Sequence, residues 1–258
     1  MVKVILARLR QGYRTIKYPA GAPPEMPDRF RGRPLLSAKP CPGGCRDCAA
    51  PCPTGALDLS DAERLGPSID LGRCLFCDDC VGACPQGSIA FSRDYRLAAT
   101  RREDLLVGAE TAPRLAAALQ AKTRSLFGRS LKLRQVSAGG CNACEADANV
   151  LTTIGWDIGR FGIQFVASPR HADGLLITGP VTKNMELALR KTYDAVPEPK
   201  IVILAGSCAI SGGPYIGHER ALDGASSLLP IDLLVPGCPP HPLTLLDGLL
   251  RLLGRIKE

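Results

Sequence analysis

The sequence is poor in aromatic residues and has no long apolar run. Aromatics make up 5% of its 258 residues, with a single Trp. No apolar stretch approaches the ~18 residues that a membrane-crossing helix needs. The Val4-Ile5-Leu6-Ala7 stretch is too short for a secretory signal core and lacks a small-residue cleavage site, so a cytoplasmic location is expected. Acidic residues are scarce at the start: residues 1–40 hold nine Lys/Arg against Glu25 and Asp28, and the remaining chain balances 23 against 23. The formal charge of +7 therefore resides in one basic arm, which suits a partner or a membrane surface. No groove-reading motif accompanies it, and nucleic acid is not expected as a partner.

What the chain has in quantity is cysteine, twelve in all. In a reducing compartment, with several followed by proline, they point to metal rather than to disulfides. Eight are crowded between Cys41 and Cys84, and four are spread from Cys141 to Cys238 among Val/Ile/Leu-rich runs. The length accommodates two such differently stabilised halves. The expected organisation is a basic extended arm over 1–40, a two-cluster ferredoxin-like domain over 41–92, a linker with a helix over 93–130, and an α/β domain over 131–258.

Within the arm, the Pro/Gly-rich 18–33 segment cannot hold a helix and reads as an extended strap across a partner, or as a mobile tail. An internal repeat follows. Cys52-Pro53-Thr54-Gly55-Ala56-Leu57-Asp58-Leu59 is echoed by Cys84-Pro85-Gln86-Gly87-Ser88-Ile89-Ala90-Phe91, each after a three-cysteine loop. Residues 92–130 lack cysteine, and a helix is expected from Pro113 to Lys122 with proline in its first turn. From Leu131 onward β-branched runs alternate with helical stretches. Strands are expected at 131–136, 163–167, 174–178, 201–205 and 231–235, and helices at 145–154, 183–194 and 240–253. The fold class is an α+β two-cluster ferredoxin-like domain followed by an α/β flavodoxin-like domain with a parallel sheet.

Cys74-x2-Cys77-x2-Cys80-x3-Cys84-Pro85 has the spacing of a bacterial ferredoxin loop, in which the fourth thiolate ligates the other cluster. Cys41-x3-Cys45-x2-Cys48-x3-Cys52-Pro53 is its companion with one extra residue, which Gly43 and Gly44 absorb if they adopt positive φ. Crossed ligation assigns Cys41, Cys45, Cys48 and Cys84 to cluster A, and Cys74, Cys77, Cys80 and Cys52 to cluster B. Two interleaved zinc sites are the alternative, although the double Cys-Pro pattern departs from zinc-finger spacing.

Cys141, Cys144, Cys208 and Cys238 all fall just beyond the carboxyl ends of expected parallel strands, where open α/β sheets place ligands. Glycines approach each: Gly139-Gly140, Gly206 and Gly237. Bare backbone there allows a cubane close contact and N–H donors. These four are expected to hold a third cluster, with Cys144 at a helix N-terminus favourable to an anion. Buried structural thiols are the competing reading. Glu145 and Asp147, in the first turn of that helix, are expected to have raised pKa values from like charge, or to be ordinary dipole-favoured acids. Arg170 and His171 donate either to the cluster or partner, or to their own turn through Asp173. His218 and His241 receive no role.

Gly139-Gly140-Cys141-Asn142-Ala143-Cys144-Glu145, Ser168-Pro169-Arg170-His171-Ala172-Asp173, Thr178-Gly179-Pro180-Val181-Thr182, Gly206-Ser207-Cys208 and Pro236-Gly237-Cys238-Pro239-Pro240 jointly resemble the small subunit of membrane-bound energy-converting nickel-iron hydrogenases, including the formate hydrogenlyase type. That subunit is itself similar to the 20 kDa subunit of NADH:quinone oxidoreductase. Residues 10–92, with Asp28-Arg29-Phe30-Arg31-Gly32, look like the two-cluster ferredoxin subunit of the same complexes, so two proteins are fused here. The resemblance implies three 4Fe-4S clusters, a hydrogenase large subunit-like partner carrying the nickel site, integral membrane subunits, and a further redox donor subunit. It also implies a cytoplasm-facing position, peripheral on the inner face of the cell membrane through partner subunits, consistent with the lack of a twin-arginine signal. Gly140 stands where the quinone-reducing relatives have an adjacent cysteine, and Cys144 restores a C-x2-C spacing, which favours the hydrogenase-like group. A quinone-linked or nickel-free relative is the alternative. A stand-alone electron carrier is a third reading, against which the basic arm and the α/β half both count.

Overall fold

The computed structural model describes residues 2–111, 114–120 and 125–256. The chain opens with a helix, α1 (Val2–Gln11), none of whose residues is buried. Four short strands then frame the cysteine loops: β1 (Pro34–Leu36) and β2 (Leu57–Asp58) enclose the first, and β3 (Ser68–Asp70) and β4 (Ile89–Phe91) the second. β1 pairs antiparallel with β4, and β2 with β3, so each repeat completes its hydrogen bonding on the other. The one-turn helices α2 (Ala62–Leu65) and α3 (Asp79–Ala83) lie between the strands, and β5 (Leu106–Val107) extends the sheet from β3. The duplication extends to the backbone: Gly55 and Gly87 occupy equivalent turns at φ 58° and 59°, a conformation that glycine adopts without a Cβ penalty.

The second half is a five-stranded parallel sheet of β6 (Leu131–Ser137), β7 (Ile163–Phe165), β8 (Gly174–Thr178), β9 (Ile201–Ala205) and β10 (Leu233–Val235), in the order β10-β9-β8-β6-β7. Counted from β6 this is the flavodoxin-like order 2-1-3-4-5, with a topological switch beside β6 and β8. Every residue of β8 and β9 is buried, which explains their unbroken apolar composition. The helices α4 (Ala143–Val150), α5 (Lys183–Ala195), α6 (Ser207–Ser211) and α7 (Pro242–Leu252) connect or follow these strands. α4 stops four residues short of the expected end because residues 151–156 turn back on themselves. α7 starts two residues later than expected because the His241 ring caps it, Nδ1 accepting from the Leu243 N–H at 3.1 Å.

The two faces of the sheet meet different neighbours. Leu131, Leu133, Leu176, Ile203 and Val235 pack with the leucines of α7. Val136, Leu175, Ile177, Val202 and Leu204 share one buried cluster with Ile69, Leu71, Phe76 and Leu105. The cysteine-loop region and the sheet thus have a common core rather than separate ones. The connection is stitched down by a bridge between Ala99 and Leu234, each N–H donating to the other carbonyl at 3.0 and 2.8 Å. Part of the helix expected at 113–122 is absent, since residues 114–120 are irregular; positions 113, 121 and 122 lie outside the described residues. The reason is visible in the hydrogen bonds: Ala116 donates to Ala98 O and Leu119 to Leu252 O, so backbone donors that a helix would use internally serve tertiary contacts.

The strap 18–33 holds no helix, as its prolines require, but it lies across its own chain. Tyr18 and Met26 are buried against the α7 side of the sheet. The Tyr18 hydroxyl donates to Asp247 Oδ1 at 2.6 Å, and the other Asp247 oxygen accepts from Arg251 Nε at 2.8 Å. Burial first, then the hydrogen bond to Asp247, drives the Tyr18 pKa well above its usual value. α7 is buried along its whole length, and this trio satisfies the charges it carries inside. Tyr18→Phe leaves a buried carboxylate oxygen short of a donor. It should lower the unfolding free energy by about 1–3 kcal/mol in urea titration of the intact chain; an unchanged midpoint would mean that the strap does not dock.

Candidate metal centres

All twelve thiols are free. In the cysteine-loop region they gather in two groups of four, each drawing its fourth member from the other loop. Cys41 and Cys48 interact electrostatically with Cys45 and Cys84, and Cys74 with Cys80, Cys52 and Cys77. Gly44, just before Cys45, has φ +73°, but Phe76, just before Cys77 in the loop without the extra residue, has φ 55° as well. Gly43 keeps an ordinary φ, so the expected positive φ at both glycines is not what accommodates the insertion. Backbone amides address the sulfurs. Ala56 N–H donates to Cys52 Sγ at 3.3 Å and Ser88 N–H to Cys84 Sγ at 3.4 Å, the same contact in both repeats, and Phe76 N–H donates to Cys74 Sγ at 3.3 Å.

The third group sits at the carboxyl edge of the parallel sheet. Cys144 interacts with Cys208, Cys238 and Cys141. Cys144 lies within the first turn of α4, behind Asn142 at φ 70°, rather than ahead of the helix. Cys141 and Cys238 are exposed while Cys144 is buried, so this group opens to the surface. Glycines here provide space. A Cβ on Gly206 would stand 2.6 Å from Cys144 Sγ, and one on Gly213, which no sequence motif marks, 2.8 Å from Cys208 Sγ. The Gly206 N–H is engaged by Val235 O at 2.8 Å, so the expected donation from this amide to sulfur is not its role.

Burial, reinforced by neighbouring cysteines, raises these thiols: Cys74 is pushed up to about 12, Cys80 and Cys208 to about 11, and Cys144 further still. Crowded thiolates in a low-dielectric site need a compensating cationic centre. Among the described residues no three His, Cys, Asp or Glu side chains close on a point suited to a single metal ion. The donor set fits thiolates spread over the several irons of a cluster better than interleaved zinc.

The three groups are linked in sequence. Cys80 of the second interacts with Cys48 of the first, and Cys238 of the third with Cys77 of the second. The second and third are also joined by hydrogen bonds from α6. Ser207 Oγ donates to Cys74 O at 2.6 Å, and Ser211 Oγ to Gly72 O at 2.8 Å. Both serines are buried, and sequence reasoning misses both; only Ser207, beside Cys208, carries a sequence cue.

Glu145 is buried beside the third group, and its Oε1 accepts from Thr178 Oγ1 at 2.6 Å. Burial raises its pKa, but hydrogen bonds from Ser137 and Thr178 and its own backbone outweigh this and leave it below the usual carboxylate value. The expected upward shift is therefore corrected for Glu145, while Asp147 is raised by burial. Arg170 and His171 are exposed in the turn before β8. A parallel strand must begin at the amino edge, and Asp173 there receives the Lys132 N–H at 2.7 Å. The five residues of β8 separate this turn from the cysteine edge by ~16 Å, so the fold places both away from the thiols. His241, given no role from sequence, lies between Phe30 and Trp156 at ring separations of 5.3 and 5.9 Å and borders a cavity shared with Cys238.

Residues 41–88 match the 4Fe-4S dicluster domain, and residues 141–252 match the family described as NADH ubiquinone oxidoreductase, 20 Kd subunit. With the fold above, these define an iron-sulfur oxidoreductase subunit in which a dicluster domain precedes an α/β domain. The chain is 43% identical to an NADH-quinone oxidoreductase subunit of Clostridium beijerinckii over 118 residues, 45% of this chain and 70% of that protein. It belongs to the 20 kDa subunit family of NADH:quinone oxidoreductase through its second half. A chain of the membrane-bound sulfane sulfur reductase, an archaeal respiratory membrane complex, is 32% identical, with 53% of this chain and 75% of that one covered at a TM-score of 0.46. A chain of an NAD+-reducing NiFe-hydrogenase in the H2-reduced state is 21% identical, with coverages of 50% and 95% and a TM-score of 0.39. Both superpositions are partial.

Removing the Ser207 hydroxyl should loosen the join between the second and third groups. Ser207→Ala is expected to lose about 1–3 kcal/mol of stability and to speed amide hydrogen exchange around Cys74–Phe76. Exchange indistinguishable from the parent would show that the join does not depend on Ser207.

Proposed function

We propose that this chain is the electron-transfer subunit of a membrane-associated multisubunit oxidoreductase, relaying electrons to or from the nickel-iron site of a large-subunit partner, where protons are reduced or hydrogen is oxidised. In this reading Cys41, Cys45, Cys48 and Cys84 hold cluster A, Cys74, Cys77, Cys80 and Cys52 hold cluster B, and Cys141, Cys144, Cys208 and Cys238 hold the proximal cluster. Once bound, 4Fe-4S clusters supply one-electron redox chemistry. The proposed organisation keeps the arm at 1–40, the dicluster domain at 41–92, the connection at 93–130 and the α/β domain at 131–258.

The observation that supports this reading is the stepwise electrostatic influence between the thiol groups, Cys48 on Cys80 and Cys77 on Cys238, ending at the exposed Cys141 and Cys238. The chain's own contribution is to hold three centres in fixed register through one core, direct amides at three sulfurs, and leave the last group open to a partner. That partner is a hydrogenase large subunit-like protein, in a complex with integral membrane subunits and a further redox donor subunit. Gly140 in place of a cysteine next to Cys141, and the C-x2-C spacing to Cys144, favour the nickel-containing group. A quinone-linked or nickel-free complex is the second reading, favoured by the identity to the clostridial NADH-quinone oxidoreductase subunit.

Anaerobically purified protein should contain about twelve irons and about twelve sulfides per chain, and Cys208→Ala about eight of each. Zinc in place of iron, or an unchanged iron content in Cys208→Ala, would contradict the assignment. Nickel in the co-purifying large subunit is the outcome expected for the hydrogenase-like reading; a nickel-free large subunit would select the second.

A further inference from the structure

We propose that α1 is an amphipathic anchor that lies flat on an anionic membrane surface and contacts the lipid directly. This does not rest on the identity of the redox partner. It goes beyond a peripheral position gained only through other subunits.

Val2, Ile5, Leu6 and Leu9 recur at the i, i+3, i+4, i+7 spacing that forms an apolar stripe on a helix, while Val4, 72% exposed, stands by itself on the opposite face. In a globular protein such a stripe normally faces the core. Here the exposures of the four stripe residues are 69%, 56%, 48% and 72%, and no residue of α1 is buried. On the helical wheel, Lys3 and Arg10 border one side of the stripe and Arg8 the other. Long basic side chains on both borders of an apolar strip reach the headgroup plane while the strip enters the acyl boundary. The charge is of one sign: Lys3, Arg8, Arg10, Arg14 and Lys17 precede the first acidic residue, Glu25. Attraction of such a segment to anionic lipid falls off within a Debye length, so it works only at the surface itself.

The helix is tied to the body immediately after it ends. Thr15 Oγ1 donates to Ile154 O at 2.9 Å, Ile16 N–H to Gly155 O at 2.9 Å, and the Arg160 guanidinium to the carbonyls of Ile16 and Tyr18 at 2.5 and 2.7 Å. Around this tether Tyr13 and Ile154 are 76% and 63% exposed. Tyr13 is an aromatic residue of the type suited to a water–lipid boundary. An acidic protein groove would satisfy the cations as well. The bilayer is preferred because cations flank the stripe on both sides and no acidic residue is interleaved with it.

The test is co-sedimentation of the full chain with phosphatidylcholine vesicles containing either no phosphatidylglycerol or about a third of it. The expected result is at least about tenfold stronger partitioning onto the anionic vesicles, weakened severalfold by raising the salt. The double variant Leu6→Glu/Leu9→Glu should abolish binding, and Arg8→Glu/Arg10→Glu should remove the preference for anionic lipid. Since α1 buries nothing, both variants should keep the parent's iron content and visible spectrum, which separates failure here from failure of the redox assignment. No binding to anionic vesicles, or equal binding by Leu6→Glu/Leu9→Glu, would overturn the proposal and leave a protein subunit as the cover of this stripe.

Discussion

The structure is governed by the electrostatic difficulty of bringing four thiols together inside protein. Burial and mutual repulsion both oppose ionisation, and the shifts at Cys74, Cys80, Cys144 and Cys208 express this directly. An arrangement that is unfavourable for bare thiolates becomes favourable around a cationic iron-sulfur core. Much of the chain serves that end. Strands of one repeat pair with the other so that each loop can lend its last cysteine across. Gly206 and Gly213 leave room at Cys144 and Cys208 where any side chain would collide.

The same requirement accounts for the shared core. Had each half packed independently, the second and third thiol groups would be related only by a linker. Instead Ile69, Leu71, Phe76 and Leu105 pack with strands of the parallel sheet, and two serines of α6 hold the Gly72–Cys74 backbone. Electron transfer depends steeply on separation, so a fixed spacing between neighbouring centres is worth a continuous core. The strap 18–33 and the bridge at Ala99 tighten the same assembly from outside.

Much of this is legible in the sequence, and the divisions follow physical lines. Cysteine spacing and the Cys-Pro repeat are local, so the two loops and their duplication can be read directly, as can β8 and β9, whose full burial leaves an unbroken apolar run. Contacts between distant segments are not legible. The destination of the strap depends on Tyr18 meeting Asp247, 229 residues away, and no periodicity encodes that. Arg170 and His171 are near the right strands in sequence but fall at the opposite edge, because a turn leading into a parallel strand lies at its amino end. The pKa of Glu145 departs from expectation because charge is visible in sequence while the Thr178 hydroxyl that offsets it is not.

The central claim is that three interacting redox centres stand in the order A, B, proximal. Electron paramagnetic resonance of the fully reduced chain tests it most directly. The account predicts three reduced-cluster signals per chain, with the middle one magnetically broadened by both neighbours and each outer one by the middle alone. Fewer than three centres, or three that relax independently of one another, would contradict it.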